Sequence, residues 1–347
     1  MARRPTLKQV AEKAGVSLGM AGRVLGNYGS FSDATQRRVI EAARALNYTP
    51  NLIARSLRTQ LTGTIGVLIS DITTFFWTTL VRGIQDKAGK AGYSVILCNS
   101  DDESENEQLY LSTLFERNVD GLIVSPTPHN HSYLKKLARG LVPIVLVDRG
   151  VKGLGVPTIK TDNQSGAYEA VKHLIDLGHE RIAVITGIPG VDTSEERLAG
   201  YRQALQEKGI PLRKTLIREG HFQKDRAYTA TMELLRMKRP PSAIFVSNEA
   251  MVSGCIPALK ERGLRIPTDI AVVAFVVPVW ASYMDPPLTA VSQPSYTMGI
   301  LAFDYLLSQI SGSGKDKKYI EDVVLKPTLL IRESCGCKSA DRRTVPP

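Results

Sequence analysis

The chain has 347 residues, ordinary apolar and charged fractions and a formal net charge of +10, which predicts two or three folding units rather than a single core. Its longest apolar run, Ile270 to Val277, is too short to span a bilayer. Four cysteines form no disulfide framework in a chain of this length, and no signal peptide opens it. These features favour a cytoplasmic protein without a membrane partner.

Positive charge is concentrated in the first 62 residues. They hold ten cations and three anions, so +7 of the total +10 lies in less than a fifth of the chain. Charge concentrated in this way is typical of a surface that binds a polyanion, although a solvated basic face gives the same count. The pattern of residues must decide between the two.

Three short helices are predicted in residues 1–49. Thr6–Gln9 is a capping-box sequence that begins the first helix, Ser17 can cap the second and Ser32 the third. A tight turn at Gly15 separates the first two helices, which is the helix-turn-helix arrangement. Because the second helix of such a unit enters the DNA major groove, this segment is predicted to be a DNA-binding head.

Residues 50–62 are predicted to be a hinge helix and linker. Pro50-Asn51 can begin a helix that runs only to about Arg58, and an isolated helix that short is unstable in water. It would form against a DNA minor groove, where Arg55 and Arg58 approach phosphates and Leu57 wedges between base pairs. The other interpretation is a linker that packs Leu57 on its own domain.

From Gly63 onward, strands alternate with helices, which predicts parallel sheets with helices on both faces. The series then recurs, with Ile65–Ile69 answered by Ile182–Thr186 and Leu122–Ser125 by Ile244–Ser247. Two equivalent α/β lobes in tandem imply a ligand cleft between them, beyond the carboxyl ends of the strands.

These changes of pattern predict an α/β chain with a small helical head. The predicted parts are a helix-turn-helix head, a hinge helix with linker, a bilobal effector-binding and dimerisation body of two doubly wound sheets, and a polar tail: residues 1–49, 50–62, 63–334 and 335–347. The tail holds Cys335-Gly336-Cys337, whose two thiols are at most half of a metal site. We predict no metal and no cofactor.

Five segments of the head and hinge closely resemble the LacI/GalR family of transcriptional repressors: Thr6–Ala11, Ala14–Ser17, Arg23–Leu25, Asn47–Asn51 and Ala54–Leu57. The resemblance implies a homodimer, or a tetramer built from dimers, whose paired heads read a near-palindromic operator in double-stranded DNA. The DNA-binding residues that it implies are Thr6, Ser17, Leu18, Gly19, Met20, Arg23, Ser30, Thr35, Asn51, Ala54, Arg55, Leu57 and Arg58.

The recognition helix departs from the family pattern. Met20–Arg23 stands where the family usually has Thr-Val-Ser-Arg, and Leu18 and Gly19 occupy the positions that most often select bases. Arg23 suits a guanine through bidentate bonds, whereas Leu18 or Met20 can contact a thymine methyl group. We expect weaker or more selective DNA binding; the alternative is a head that has lost binding.

The resemblance continues through Arg332 and implies an effector site in the cleft. Arg197 would clamp hydroxyls or a carboxylate with its fixed fork of donors, and aromatic side chains would stack on an apolar face of the ligand. Core packing of the aromatic residues and a structural salt bridge at Arg197 are the alternatives. The effector residues that it implies are Phe76, Trp77, Asp148, Asp162, Arg197, Phe222, Asn248 and Val276.

The largest departure in the body lies at Val276 and Val277, where the family generally has two aspartates. A polyol loses there a charge-assisted partner worth roughly 1.5–3 kcal/mol. The predicted effector is therefore a sugar, a sugar derivative or, because of this loss, a less polar metabolite. A degenerate cleft that senses no sugar is the alternative.

We predict a transcriptional repressor whose operator affinity is modulated by a small molecule. An enzyme is disfavoured because the sequence shows no nucleophile elbow, no phosphate-binding glycine loop and no metal-spaced histidines. A solute-binding protein with a non-functional head is the third class, but such a protein would need export and would not need a basic head.

Overall fold

The structure is a computed structural model that describes residues 5–26, 28–48, 61–129, 131–275, 279–312 and 321–337. The chain divides into two compact units, Met1–Gly63 and Thr64–Pro347, and each has its own core. Several predicted site residues lie outside the described residues: Asn51, Ala54, Arg55, Leu57 and Arg58 of the hinge, and Val276 of the cleft.

The described part of the first unit consists of three helices, namely α1 (Leu7–Ala14), α2 (Leu18–Leu25) and α3 (Asp33–Ala45). The predicted caps are confirmed. Thr6 and Gln9 form a reciprocal capping box, and the hydroxyls of Ser17 and Ser32 accept hydrogen bonds from the backbone three residues on, at 3.1 Å and 3.3 Å. Each cap satisfies a backbone donor that the first helical turn leaves unpaired.

Small side chains form the core of this unit. Gly15 ends α1 in the left-handed conformation, with φ +63°, and so turns the chain into α2. Alanine and valine let the short helices approach closely, and the buried residues from all three helices are Val10, Ala11, Ala14, Ala21, Val24, Val39, Ala42 and Ala43.

The second unit contains two six-stranded sheets. In the first the strand order is β11-β5-β4-β3-β1-β2, and in the second it is β12-β10-β9-β8-β6-β7. All neighbouring strands are parallel except β10 and β12. The equivalent order confirms the repeat predicted from sequence. The strands are β1 (Thr64–Ile69), β2 (Ser94–Asn99), β3 (Gly121–Val124), β4 (Ile144–Val147), β5 (Thr158–Thr161), β6 (Ile182–Thr186), β7 (Ile217–Glu219), β8 (Ala243–Val246), β9 (Ala271–Phe275), β10 (Thr289–Ser292), β11 (Val323–Leu325) and β12 (Thr328–Leu330).

Helices cover both faces of each sheet, as predicted, and bury three apolar clusters. They are α4 (Phe75–Lys90), α5 (Ser104–Glu116), α6 (Ser132–Leu137), α7 (Asn163–Asp176), α8 (Asp192–Glu207), α9 (Lys224–Leu235), α10 (Glu249–Glu261) and α11 (Ser295–Ile310). Among the described residues, no helix combines the length and apolarity that crossing a membrane requires.

The prediction of two lobes in simple tandem is wrong, because the lobes exchange helices. α7 follows β5 of the first sheet but packs on α8 of the second lobe, and α11 follows β10 of the second sheet but packs on α4 of the first. The chain also passes from β11 to β12, one in each sheet, and therefore crosses between the lobes three times. Helical periodicity does not specify which sheet a helix covers, so the sequence repeat could not reveal this exchange.

The predicted polar tail begins later than residue 335. Cys335 is fully buried and belongs to the apolar cluster that spans both lobes. The hydroxyl of Ser334 donates to the Val272 carbonyl at 2.6 Å and accepts the Thr289 N–H at 2.8 Å, which ties this segment to the second sheet. Ser334 and Cys335 therefore belong to the folded body, which the polar residues around them in the sequence did not indicate.

Two glycines bring α4 and α11 into direct backbone contact. A Cβ atom at Gly83 would lie 2.2 Å from the carbonyl oxygen of Tyr296, and one at Gly299 would lie 2.0 Å from that of Leu80. Backbone atoms cannot move aside as a flexible side chain can, so both positions require glycine.

We expect Gly83→Ala to lower the free energy of unfolding by about 1–3 kcal/mol, because the added methyl group forces α4 and α11 apart. Gly89→Ala on the same helix is the matched control, since a Cβ there meets nothing within 4 Å. That substitution should raise stability by up to about 1 kcal/mol through helix propensity. Urea denaturation of both variants checks this, and equal effects would contradict the close approach.

Candidate functional site

A cavity of about 230 Å³ lies between the two lobes, at the carboxyl ends of the strands. This volume is small for a ligand pocket and suits a compact molecule. Both lobes line it with Ser70, Asp71, Thr74, Phe76, Trp77, Asp101, Asp102, Glu103, Asp148, Arg149, Ile188, Thr193, Arg197, His221, Phe222, Gln223, Asn248, Glu249 and Gln293.

Most of the described effector candidates meet at this cavity, but one does not. Asp162 instead caps α7, where its carboxylate accepts the Ser165 N–H at 3.0 Å, and it is absent from the lining. Asn248 has both roles, because it lines the cavity and caps α10 by accepting the Met251 N–H at 3.1 Å. The predicted effector residues that line the cavity are Phe76, Trp77, Asp148, Arg197, Phe222 and Asn248.

Arg197 is the most highly connected of these residues. Its guanidinium donates to Asn163 Oδ1 at 2.9 Å and to the Ser247 carbonyl at 2.6 Å, and it contacts Gln293 Oε1 at 3.5 Å. It also lies 4.0 Å from the ring centroid of Phe275. Burial lowers its pKa to about 10, so it stays charged at neutral pH. Arg197 therefore links neighbouring segments of the chain through its hydrogen bonds and also lines the cavity.

A buried cluster of charges occupies the first-lobe wall. Both oxygens of Asp102 accept hydrogen bonds from Arg149, and the Arg149 guanidinium lies 5.5 Å from the ring centroid of Phe222. Asp148 is 6 % exposed, and burial raises its pKa to about 6 against the opposing effects of Arg149 and Arg197. Its carboxylate lies 3.7 Å from Arg149 Nε, and because it lines the cavity it has lone pairs that can accept from a ligand hydroxyl or N–H.

Strained backbone surrounds the cavity. Five lining residues that are not glycine adopt the left-handed conformation, with φ between 53° and 65°: Asp101, Asp102, Asp148, His221 and Phe222. Each of these residues costs roughly 1–3 kcal/mol and is typical of a functional site. A Cβ at Gly187 would lie 2.0 Å from the Phe222 ring, so that glycine fixes how the ring lies.

The aromatic pair at the start of α4 supports both interpretations of its role. Phe76 and Trp77 pack edge to face, with centroids 4.8 Å apart. Both are less than a tenth exposed and belong to the apolar core, yet both line the cavity. Core packing therefore fixes the rings that form this wall.

Several residues of the site were not predicted from the sequence, and Arg149, Gln293 and Glu249 are three of them. Arg149 could not be predicted because its burial and its bonds to Asp102 depend on contacts between residues that are far apart in the sequence. Gln293 lies at a lobe crossing, and its buried side-chain N–H donors have no partner among the described residues, so they are available to a ligand acceptor. Glu249 was not predicted because its partners lie in the other lobe, 174 positions away in the sequence.

Glu249 joins the lobes across the cavity mouth. Its carboxylate accepts the N–H of Phe75 at 3.1 Å and that of Phe76 at 3.4 Å. It therefore lies at the amino end of α4 in one lobe while standing in the first turn of α10 in the other. Two positive helix ends that face each other would repel, and one buried carboxylate between them stabilises this contact between the lobes.

The head presents the amino end of α2 to solvent. Leu18 is 53 % exposed, whereas Ala21 and Val24 of the same helix are buried. A Cβ at Gly19 would meet nothing within 4 Å, and Met20 and Arg23 are half-buried beside it. Thr6 and Ser17 act as caps, Thr35 bonds to Ser32, and Ser30 is exposed. This surface has the shape that a groove-reading helix requires.

The chain matches two families of known proteins. Residues 62–333 match the family described as periplasmic binding proteins and sugar binding domain of LacI family, and residues 6–51 match that of bacterial regulatory proteins, lacI family. A relative that is 34% identical over 330 residues is the HTH-type transcriptional repressor PurR of Photobacterium profundum, with 95% of this chain and 98% of that one covered.

Solved structures show the same similarity. The Lac repressor dimer bound to operator and the anti-inducer ONPF is 28% identical, with a TM-score of 0.84 and coverage of 96% of this chain and 99% of that one. The transcriptional regulator CelR in its cellobiose complex is 30% identical, with a TM-score of 0.72 and coverage of 95% and 100%.

The raised pKa of Asp148 predicts that the free energy of unfolding depends on pH. A carboxyl whose folded pKa is about 6 destabilises the folded state progressively as pH rises from about 4 to about 6. Replacing it by Asp148→Asn removes that titration. The free energy of unfolding of the variant, minus that of the wild type, should rise by roughly 2 kcal/mol between pH 4.5 and pH 7.5 in urea denaturation.

Asp269→Asn is the control for this measurement. The ion pair with Arg265 lowers the pKa of Asp269, so its titration lies below pH 4.5 and its stability difference should stay constant over the same range. A difference for Asp148→Asn that is equally independent of pH would contradict the burial argument.

Proposed function

The chain belongs to the LacI family of bacterial regulatory proteins, and we propose that it represses transcription by binding operator DNA under the control of a small molecule between its lobes. The observation that carries this proposal is the joining of a capped helix-turn-helix head to a bilobal body with a lined cavity. Similarity to repressors along nearly the whole chain supports it.

The DNA-binding part of the proposal rests on the head and on the residues that follow it. A homodimer would place two copies of α2 in successive major grooves of a near-palindromic operator. We propose that residues 50–62 act as the hinge and that Leu57 wedges into the minor groove at the operator centre. The protein would act in the cytoplasm as a regulator rather than as an enzyme.

The effector part rests on the cavity. Its volume fits a ligand of about monosaccharide size, and its walls combine polar groups with aromatic rings. We propose a sugar or sugar derivative as the ligand. Its hydroxyls would donate hydrogen bonds to the Asp148 carboxylate and accept one from the Gln293 side-chain amide, and its apolar face would stack on Trp77 or Phe222. The expectation of a less polar ligand rested on Val276, which lies outside the described residues.

One observation favours a second candidate, a regulator whose cleft senses no ligand. Glu249 joins the two lobes through the Phe75 N–H, and the guanidinium groups of Arg149 and Arg197 already have partners in the protein. A ligand would have to improve on contacts that exist without it. In this case the operator affinity would respond to no small molecule.

Calorimetry with a panel of neutral monosaccharides, sugar phosphates and nucleosides separates these candidates. We expect one neutral sugar or sugar derivative to bind with a dissociation constant in the micromolar range, that is, at about −8 kcal/mol. The variant Gln293→Leu should weaken that binding about tenfold, because it removes the free donor. No heat from any member of the panel would support the ligand-free candidate.

The DNA-binding proposal predicts different roles for two arginines. Arg23→Ala should weaken binding to a near-palindromic duplex selected from a random pool by about 10- to 100-fold, because a bidentate guanine contact is lost. Arg37 is an exposed cation on α3, so Arg37→Ala is the matched control. It should weaken binding to selected and random duplexes alike and reduce the salt dependence.

A gel-shift titration of both variants at two salt concentrations makes the measurement. The discriminating quantity is the ratio of the dissociation constants for random and selected duplexes. Arg23→Ala should lower this ratio and Arg37→Ala should not. An equal loss for both duplexes in both variants would mean that α2 contributes charge alone and does not read sequence.

A further inference from the structure

The two thiols near the chain end share one hydrogen-bond acceptor. The Cys337 sulfur lies 2.8 Å from the Arg332 carbonyl oxygen, and the Cys335 sulfur lies 3.3 Å from the same atom. Cys335 is fully buried, whereas Cys337 is half-buried. All four cysteines of the chain are reduced thiols in this structure. The pair therefore has a buried inner sulfur and a half-buried outer sulfur, and both lie against the same carbonyl oxygen.

A histidine from another element contacts the inner sulfur. His173 Nε2, on α7, lies 3.2 Å from Cys335 Sγ. Burial by itself raises the pKa of this thiol, but hydrogen bonds from His173, Thr289 and Cys337 outweigh burial and lower the pKa to about 7. The thiolate is the reactive form of cysteine, so this contact favours nucleophilic attack by Cys335.

The other two cysteines provide a contrast within the same chain. Burial raises the pKa of Cys255 to about 12 and also raises the pKa of Cys98. Neither has a second cysteine close to it in the sequence. Both are therefore expected to behave as inert apolar side chains.

We propose that Cys335 and Cys337 form a reversible intramolecular disulfide when the protein meets a hydroperoxide. The outer sulfur of Cys337 is the site that the oxidant reaches. The inner sulfur of Cys335, which lies 3.2 Å from His173 Nε2, is the nucleophile that closes the bond. His173 is thus a positioning residue for this step.

The proposed chemistry balances in two steps. The Cys337 sulfur attacks the terminal oxygen of the hydroperoxide, the O–O bond breaks, and a sulfenic acid and one molecule of water or alcohol result. The Cys335 thiolate then attacks the Cys337 sulfur. The S–S bond forms, the S–O bond breaks, and hydroxide leaves as water with the proton that Cys335 gave up. Two electrons pass from the sulfur pair to the peroxide, and a dithiol reductant reverses the reaction.

Closure of this disulfide would act on the second sheet. Cys335 would leave His173, which lies on α7. Ser334, its neighbour, bonds to Val272 of β9 and to Thr289 of β10. Oxidation of the pair would therefore be felt at the amino ends of β9 and β10, and it is a property separate from ligand or DNA binding.

The test uses the intact wild-type chain and hydrogen peroxide. Digestion and mass spectrometry should show the peptide with Cys335 and Cys337 lighter by two hydrogens, while Cys98 and Cys255 remain thiols in the same sample. Dithiothreitol should restore the mass. Unchanged mass of this peptide, equal oxidation of all four cysteines, or a disulfide only between chains would overturn the proposal.

Three variants assign the roles. Cys335→Ser should stop at a sulfenic acid on Cys337 that a cyclic diketone traps, and Cys337→Ser should leave the buried Cys335 unmodified. His173→Gln should slow disulfide closure at least about tenfold without slowing the first oxidation, because the thiolate fraction of Cys335 falls. A closure rate in His173→Gln equal to that of the wild type would overturn the role of the histidine, and oxidation of Cys335 alone in Cys337→Ser would overturn the assigned order.

Discussion

The guanidinium of Arg197 is the constraint on which the arrangement of the body depends. It bonds to Asn163 and Gln293 at two of the three lobe crossings and to the end of β8 at Ser247. A buried charge is tolerated only when its donors are satisfied, so these partners must stay in place around it. The same group lines the cavity. Any ligand that contacts it therefore acts on the crossings about which the two lobes would move.

Hydrogen bonds between the two lobes cross the cleft. Glu249 joins the amino end of α4 from the opposite lobe, and Asp192 of the second lobe accepts the Gly150 N–H of the first at 2.8 Å. A ligand can shift the lobes between alternative arrangements only through its different affinity for each of them. Two groups are placed to make that difference: the side-chain N–H donors of Gln293, which have no partner among the described residues, and the carboxylate of Asp148, which lines the cavity.

Much of this architecture could be predicted from local sequence. The caps at Thr6, Ser17 and Ser32 depend on residues three positions apart, and the strand series depends on short apolar runs. What could not be predicted depends on distant pairs. The contact between Phe75 and Glu249 joins residues 174 positions apart, and the burial of Cys335 depends on α7. The exchange of α7 and α11 between lobes leaves no mark on helical periodicity, and Asp162, chosen by resemblance, proved to be a cap.

Occupancy of the cavity and binding of operator DNA should be linked in this protein. The most direct test measures operator affinity with and without the saturating ligand that calorimetry identifies, and then ligand affinity with and without operator. Thermodynamic linkage requires the two ratios to be equal, and we expect a factor of about 5 to 150 in each. Ratios of one in both measurements would show that the two units act independently and would contradict the account.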